Sequence, residues 1–170
     1  VLAGLASMTF AAAGSFASEQ TLKIIFPFQA GAASDAVARL VAEHLQKSLG
    51  RPVLVEDKVG AMSRIGALAV RNAQPDGSTL LFAGSSQLTL QPHLYPDLGY
   101  DPAADFVPIS QVIRFDQVLA IGSHVPAQSV KELVAWLKAN PDKANYGSPA
   151  AGSVPHFIGV LLGQAGGCGV

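Results

Sequence analysis

The chain has 170 residues, with 11 Lys and Arg against 12 Asp and Glu, and only 14% of it is charged. That balance excludes a basic surface for nucleic acid and an acidic interaction tail, and the length suits one domain of about 100–200 residues. The single cysteine, Cys168, rules out an internal disulfide and says little about redox compartment.

Residues 1–17 (VLAGLASMTFAAAGSFA) carry no charge, and Ser15-Phe16-Ala17 puts small residues at both specificity positions of an export cleavage site. The stretch reads as the remnant of a secretory signal peptide whose basic start is missing. A buried N-terminal helix is the alternative. The run is too short to span a bilayer, and no later segment is expected to. The mature protein is expected to be exported.

The first strand is read over the apolar run Leu22, Ile24, Ile25, Phe26 and Phe28, with Pro27 at its end. A turn of small residues follows. Ser34 is the candidate N-cap of a helix with Val37, Leu40, Val41, Leu45 and Leu49 at 3.6-residue spacing, ended by Gly50. Residues 52–56 (PVLVE) predict a second strand. The glycine-bearing loop 57–66 leads into a helix with Ile65, Leu68, Ala69 and Asn72 on one face. Residues 79–83 (TLLFA) predict a third strand, and 84–87 a polar loop. Strand, helix, strand, helix, strand in that order means parallel strands with right-handed crossovers.

Residues 91–96 read as a short helical turn or loop. Fourth and fifth strands are expected at 109–115 and 117–121. Ser129 and Glu132 form a capping box for a helix whose buried stripe is Val130, Leu133, Val134 and Leu137. Asn140-Pro141 ends it. A short strand begins at 144–146. The loop 147–153 (GSPAAGS) then enters a helix with Pro155 in its first turn and Phe157, Ile158, Leu161 and Leu162 along it. The expected sheet is left incomplete, so the C-terminal half is expected to be missing.

Ligands of open parallel sheets bind beyond the carboxyl ends of the strands. Three loops leave that end. The helix starts at Ser34 and near Ser153, with Ser85 and Ser86 after the third strand, offer hydroxyls and free N–H groups to an anion without Lys or Arg. Gly31, Ser85 and Gly152 are expected around one hollow. The alternative is that these serines only cap helices and fill turns. Asp35 reads either as a first-turn acid favouring the helix dipole or as a partner for a ligand's ammonium group. His156 reads either as a ligand donor or as a half-buried polar residue. The four histidines share no metal-ligand spacing, so no metal and no cofactor is expected. No Gly-x-Ser-x-Gly elbow occurs, and Gly60 to Gly66 lacks the Gly-Lys-Ser/Thr ending of a phosphate loop, so no catalytic residue is assigned.

Six segments in register carry a family resemblance: 26–35 (FPFQAGAASD), 49–56 (LGRPVLVE), 74–81 (QPDGSTLL), 100–108 (YDPAADFVP), 129–141 and 146–156 (YGSPAAGSVPH). The chain resembles the substrate-binding receptors of tripartite tricarboxylate transporters, the Bug family of periplasmic solute-binding proteins. It departs from the family pattern at Ala32, at Ser34 and over 57–64, where Met62-Ser63 stands for Gly-Gly. The resemblance implies an α/β, periplasmic-binding-protein-like (type II) two-lobe fold with parallel-dominated sheets, its second lobe and C-terminal half truncated here. The first lobe would span 18–108, and a crossover strand with a partial second lobe 109–170. It implies a monomer that takes a small carboxylate (a di- or tricarboxylate, an acidic amino acid or an aromatic acid) to membrane permease subunits. Carried over residue by residue, the cleft would be lined by Phe28, Gln29, Ala30, Gly31, Ala32, Ser34 and Asp35 of the first loop. Ser85, Ser86 and Gln87 would line it after the third strand. Ser148, Pro149, Ala150, Ala151, Gly152, Ser153 and His156 would line it from the second lobe. An α/β enzyme acting on a small carboxylic acid and a carboxylate-sensing module are the alternatives.

Overall fold

An apolar run of strand length, LKIIF, forms β1 (Leu22–Phe26) at the centre of the sheet. The structure is a computed structural model, and it describes residues 20–149 and 151–169. The expected export segment 1–17 and Ala150 lie outside the described residues. β2 (Val53–Asp57) and β3 (Thr79–Leu81) flank β1, both parallel to it, in the order β2-β1-β3. Ile24 is the register partner of both Val55 and Leu80. Ile24, Ile25 and Phe26 are all buried, as a central parallel strand covered on both faces requires.

Parallel neighbours need crossovers. α1 (Ala33–Leu49) links β1 to β2, and α2 (Arg64–Arg71) links β2 to β3. α1 packs on β2 and β1, with Asp35, Ala38 and Ala42 as its buried residues. This corrects the expected stripe: Leu40 and Leu49 are 54% and 48% exposed. The alanines let the helix axis sit close to the sheet, which turns the larger row about 100° per residue away. The N-cap is Ala32, not Ser34, which lies in the first turn. Gly50 closes the helix in a left-handed conformation, its N–H donating to the Gln46 carbonyl.

In α2 the buried residues are Gly66 and Ala67, while Ile65 is exposed, again one residue off the expected face. A Cβ at Gly66 would stand 2.6 Å from Pro27 Cβ and 3.3 Å from the Lys58 carbonyl oxygen. α2 therefore rests directly on the chain leaving β1 because position 66 has no side chain. The polar loop expected at 84–87 is helical: α3 (Ser85–Thr89) is followed by α4 (Gln91–Leu94). Ala67, Leu98 and Tyr100 form a second buried cluster, with Leu68, Leu81, Tyr95 and Phe106 against it.

The strands expected at 109–115, 117–121 and 144–146 do not form. Ile109 and Val118 are 76% and 88% exposed. A strand exists only through its ladder, and no described segment pairs with these residues. α5 (Val130–Ala139) starts at Ser129, whose Oγ accepts the Glu132 N–H at 3.2 Å. Only half of the capping box forms, because Glu132 Oε2 accepts from Gln128 N–H at 2.7 Å. Leu133 and Leu137 are buried and Val130 is exposed. α6 (Val154–Gly166) starts at Ser153 with Pro155 in its first turn. It meets α5 where Gly166 faces Val134, and Ile158 and Leu161 along it are exposed.

Candidate ligand-binding site

β1, β2 and β3 run parallel, so the loops at 27–32, 58–63 and 82–84 all leave the same edge of the sheet. The first and third touch. A Cβ at Gly84 would stand 2.9 Å from Phe28 Cζ. The Phe28 ring is held edge-on to Phe26 at 5.4 Å. Gln29, Ala30, Gly31 and Ala32 are exposed, and Ser34 is half-buried. Gly31 has φ +89°, a conformation that glycine adopts without a Cβ penalty. Its N–H donates to Asp35 Oδ2 at 2.9 Å. Asp35 Oδ1 meets no hydrogen-bond geometry, yet Arg39 Nε lies 2.8 Å away, close enough for charge pairing. Arg39 also reaches Asp57 at 3.3 Å. The Gly31 N–H, with Arg39 behind it, holds the Asp35 carboxyl below its ordinary value. Asp35 is thus committed to fixing the first loop.

The loop after β2 is an arch of left-handed backbone. Gly60, Ala61, Met62 and Ser63 have φ of 128°, 46°, 56° and 71°. Left-handed geometry costs a side-chain-bearing residue about 1–2 kcal/mol. Two buried glutamines over-determine it. Gln91 Nε2 donates to the Met62 carbonyl at 2.7 Å, and Gln87 Nε2 to the Ser63 carbonyl at 3.2 Å. Gln87 Oε1 accepts the Gly84 N–H. Tyr100 Oη lies 3.0 Å from both the Gln87 carbonyl and Gln91 Oε1, sharing one proton between two acceptors. Burial pushes the Tyr100 phenol above its ordinary pKa of 10.0. Gln87, read from sequence as a cleft residue, is 1% exposed with both ends of its amide used inside the protein. Ser85 beside it is exposed and Ser86 half-buried.

The loop before α6 reaches this arch. A Cβ at Gly152 would stand 3.1 Å from Met62 Cε, 3.5 Å from Leu94 Cδ1 and 3.9 Å from Tyr95 Oη. Gly152 N–H donates to His156 Nδ1 at 3.0 Å. Nδ1 is therefore an acceptor, which leaves the ring proton on Nε2. Tyr146 lies nearly parallel to the His156 ring, 6.3 Å away, and its hydroxyl donates to the His156 carbonyl at 2.9 Å. Ser153 Oγ accepts the His156 N–H at 3.4 Å. Ser148 is half-buried, and Pro149 and Ala151 are exposed.

A continuous run of contacts thus joins Phe28, Gly84, Gln87, the Met62–Ser63 arch and Gly152. Gly31 is not part of it: nothing lies within 4 Å of the position its Cβ would take. The sequence reading marked Met62-Ser63 as a departure from the family's Gly-Gly without placing either in the cleft, and it missed Gln91 and Tyr95. The available signal was the glycine-bearing loop after the second strand. Arg64, which opens α2, lies over the Tyr95 ring at 4.8 Å. Among the described residues no group of three His, Cys, Asp or Glu is placed to hold a metal ion, and no helix is long and apolar enough to cross a membrane. Among the described residues, an open depression runs along Pro92 and 95–102, reaching Tyr95 beside the arch, and another lies on the α1 row Leu40, Val41, His44 and Leu45.

Comparison with known proteins agrees with this architecture. Residues 37–169 match the family described as "Tripartite tricarboxylate transporter family receptor". A UPF0065 protein of Bordetella bronchiseptica is 38% identical over 146 residues, covering 86% of this chain and 43% of that protein. Among solved structures, the periplasmic binding protein BugD superposes with a TM-score of 0.67 at 32% identity, over 89% of this chain and 50% of that one. Rpa4515 of R. palustris with adipate gives a TM-score of 0.79 at 27% identity, over 88% and 50%. MatC from Rhodopseudomonas palustris with bound malate gives 0.64 at 26% identity, over 88% and 51%. The fold is α/β and periplasmic-binding-protein-like, and the chain spans about half the length of these proteins. The chain belongs to the tripartite tricarboxylate transporter receptor family, whose members include the Bug proteins.

Proposed function

We propose that the chain is the ligand-capturing part of an exported solute receptor that takes a small dicarboxylate and passes it to membrane permease subunits. One observation carries the reading: the loop before α6 packs against the loop after β2 at the carboxyl edge of the sheet, through Gly152 and Met62. Beside that junction the His156 Nε2–H is an uncharged donor, its Nδ1 being taken by the Gly152 N–H. Such uncharged donors suit a carboxylate, because a hydrogen bond to a charged acceptor is about twice as strong as a neutral one. Ala33 and Ser34, in the first turn of α1, have N–H groups with no intrahelical acceptor, and Ser85 and Ser86 add hydroxyls. Adipate and malate in Rpa4515 and MatC support the ligand class. The family supports the transporter partnership, and the description of BugD as periplasmic supports export. The receptor acts as a monomer without catalysis.

Calorimetry against a panel of di- and tricarboxylates tests this. One-to-one binding with the ligand recovered unchanged is expected, weakened about tenfold in His156→Ala by loss of one charge-assisted bond. Absence of binding across the panel, or product formation that His156→Ala abolishes, would overturn it.

A further inference from the structure

Met62 stands where the loop after β2 meets the loop before α6. Its backbone is left-handed, with φ 56° and ψ 45°. Gln91 Nε2 holds its carbonyl at 2.7 Å, so the backbone cannot roll the side chain aside without breaking a buried bond. The side chain is also tied at its far end. The Tyr95 hydroxyl donates to Sδ at 2.8 Å, and Cε lies 3.1 Å from where a Gly152 Cβ would be. An apolar thioether therefore fills the space between the two loops, and both its root and its tip are fixed.

We propose that Met62 is a specificity-determining residue that sets the length of the dicarboxylate accepted. The assignment rests on the dicarboxylate reading given above. A fixed apolar wall meets the methylene segment of a diacid, not its carboxylates. A ligand one methylene too long must displace the wall, and one too short leaves a void beside it. Each mismatched methylene in such a pocket changes affinity by about tenfold or more.

The test titrates the wild-type chain, Met62→Gly and Met62→Leu with succinate, glutarate, adipate and suberate by calorimetry. In Met62→Gly the affinity ratio of longer to shorter diacids is expected to rise about tenfold or more. Met62→Leu keeps the bulk and is expected to keep the wild-type ranking. Met62→Gly relieves the positive-φ cost but gives up the Tyr95 hydroxyl bond and the packing against Gly152, so a lower melting temperature is expected, and the ratio of affinities within that one variant is what reads the wall. The same length ranking in wild type and Met62→Gly, or a shifted ranking in Met62→Leu, overturns the assignment and leaves the receptor reading intact. Failure of the wild type to bind any of the diacids overturns the receptor reading and Met62's role with it.

Discussion

Gln87 Nε2 donates to the Ser63 carbonyl at 3.2 Å, although 24 residues separate them. The same amide accepts the Gly84 N–H through Oε1. One side chain thus ties the loop after β2 to the loop after β3, and its 1% exposure keeps water from substituting for it. Gln87→Leu fills nearly the same volume but strands two main-chain polar groups. Each group left unsatisfied costs about 1–3 kcal/mol, so a loss of about 2–6 kcal/mol is expected in urea unfolding. A loss below about 0.5 kcal/mol, the range of ordinary surface changes, would show that the arch does not depend on this tie.

The parts of the fold that were legible from sequence are the local ones. β1 is a short apolar run, Gly50 ends α1 in a left-handed cap, and Ser129 and Ser153 start α5 and α6. Each is decided within a few residues. Which row of α1 faces the sheet is decided by tertiary fit, and the alanines at 38 and 42 prevail over the larger Leu40 and Leu49. Residues 109–121 have strand-like composition, but a ladder requires a neighbour that composition cannot supply. The candidate site divides the same way. Phe28, Gly152 and His156 sit on small-residue loops beside strands or helix starts, so they could be named in advance. The arch was signalled only by Gly60 and by the family's Gly-Gly at 62–63, because left-handed backbone is ordinarily marked by glycine or asparagine, and here it runs on through Ala61, Met62 and Ser63. Gln91 and Tyr95 lie in a stretch without periodicity.

Asp35 makes the first loop sensitive to acid. Its carboxyl is lowered from 3.8, first by the Gly31 N–H and then by Arg39. A lowered folded-state value means that the contribution is complete above the ordinary value and is lost as pH falls through the lowered one. The melting temperature of wild type relative to Asp35→Asn is therefore expected to be constant at neutral pH and to shrink below about pH 4. A gap that stays constant down to about pH 2 would mean that the carboxylate's charge does not hold this loop.

Two serines at helix starts have different work. Ser129 Oγ accepts the Glu132 N–H at 3.2 Å, whereas Ala32, not Ser34, caps α1. Ser129→Ala is expected to cost about 1 kcal/mol, and Ser34→Ala to fall within about 0.5 kcal/mol of wild type. Thermal unfolding of both variants reads the difference. Reversal of their order would place the α1 cap at Ser34.

Gly66 couples the sheet to the arch. A Cβ there would stand 2.6 Å from Pro27 Cβ and 3.3 Å from Pro27 Cα and the Lys58 carbonyl. These are ring and backbone atoms, with no flexible tip to yield. Alanine would gain about 1 kcal/mol of helix propensity over glycine, but overpacking against rigid atoms costs about 3 kcal/mol at the upper end of its usual range. Gly66→Ala is therefore expected to destabilise by about 2 kcal/mol net. Because α2 begins at Arg64, directly after Ser63, moving α2 off Pro27 also drags the arch away from Gln87 and Gln91. Dicarboxylate affinity is expected to fall together with stability in this variant. Unchanged stability by thermal melting would mean that α2 does not rest on Pro27, and unchanged affinity alongside lost stability would separate the arch from the ligand.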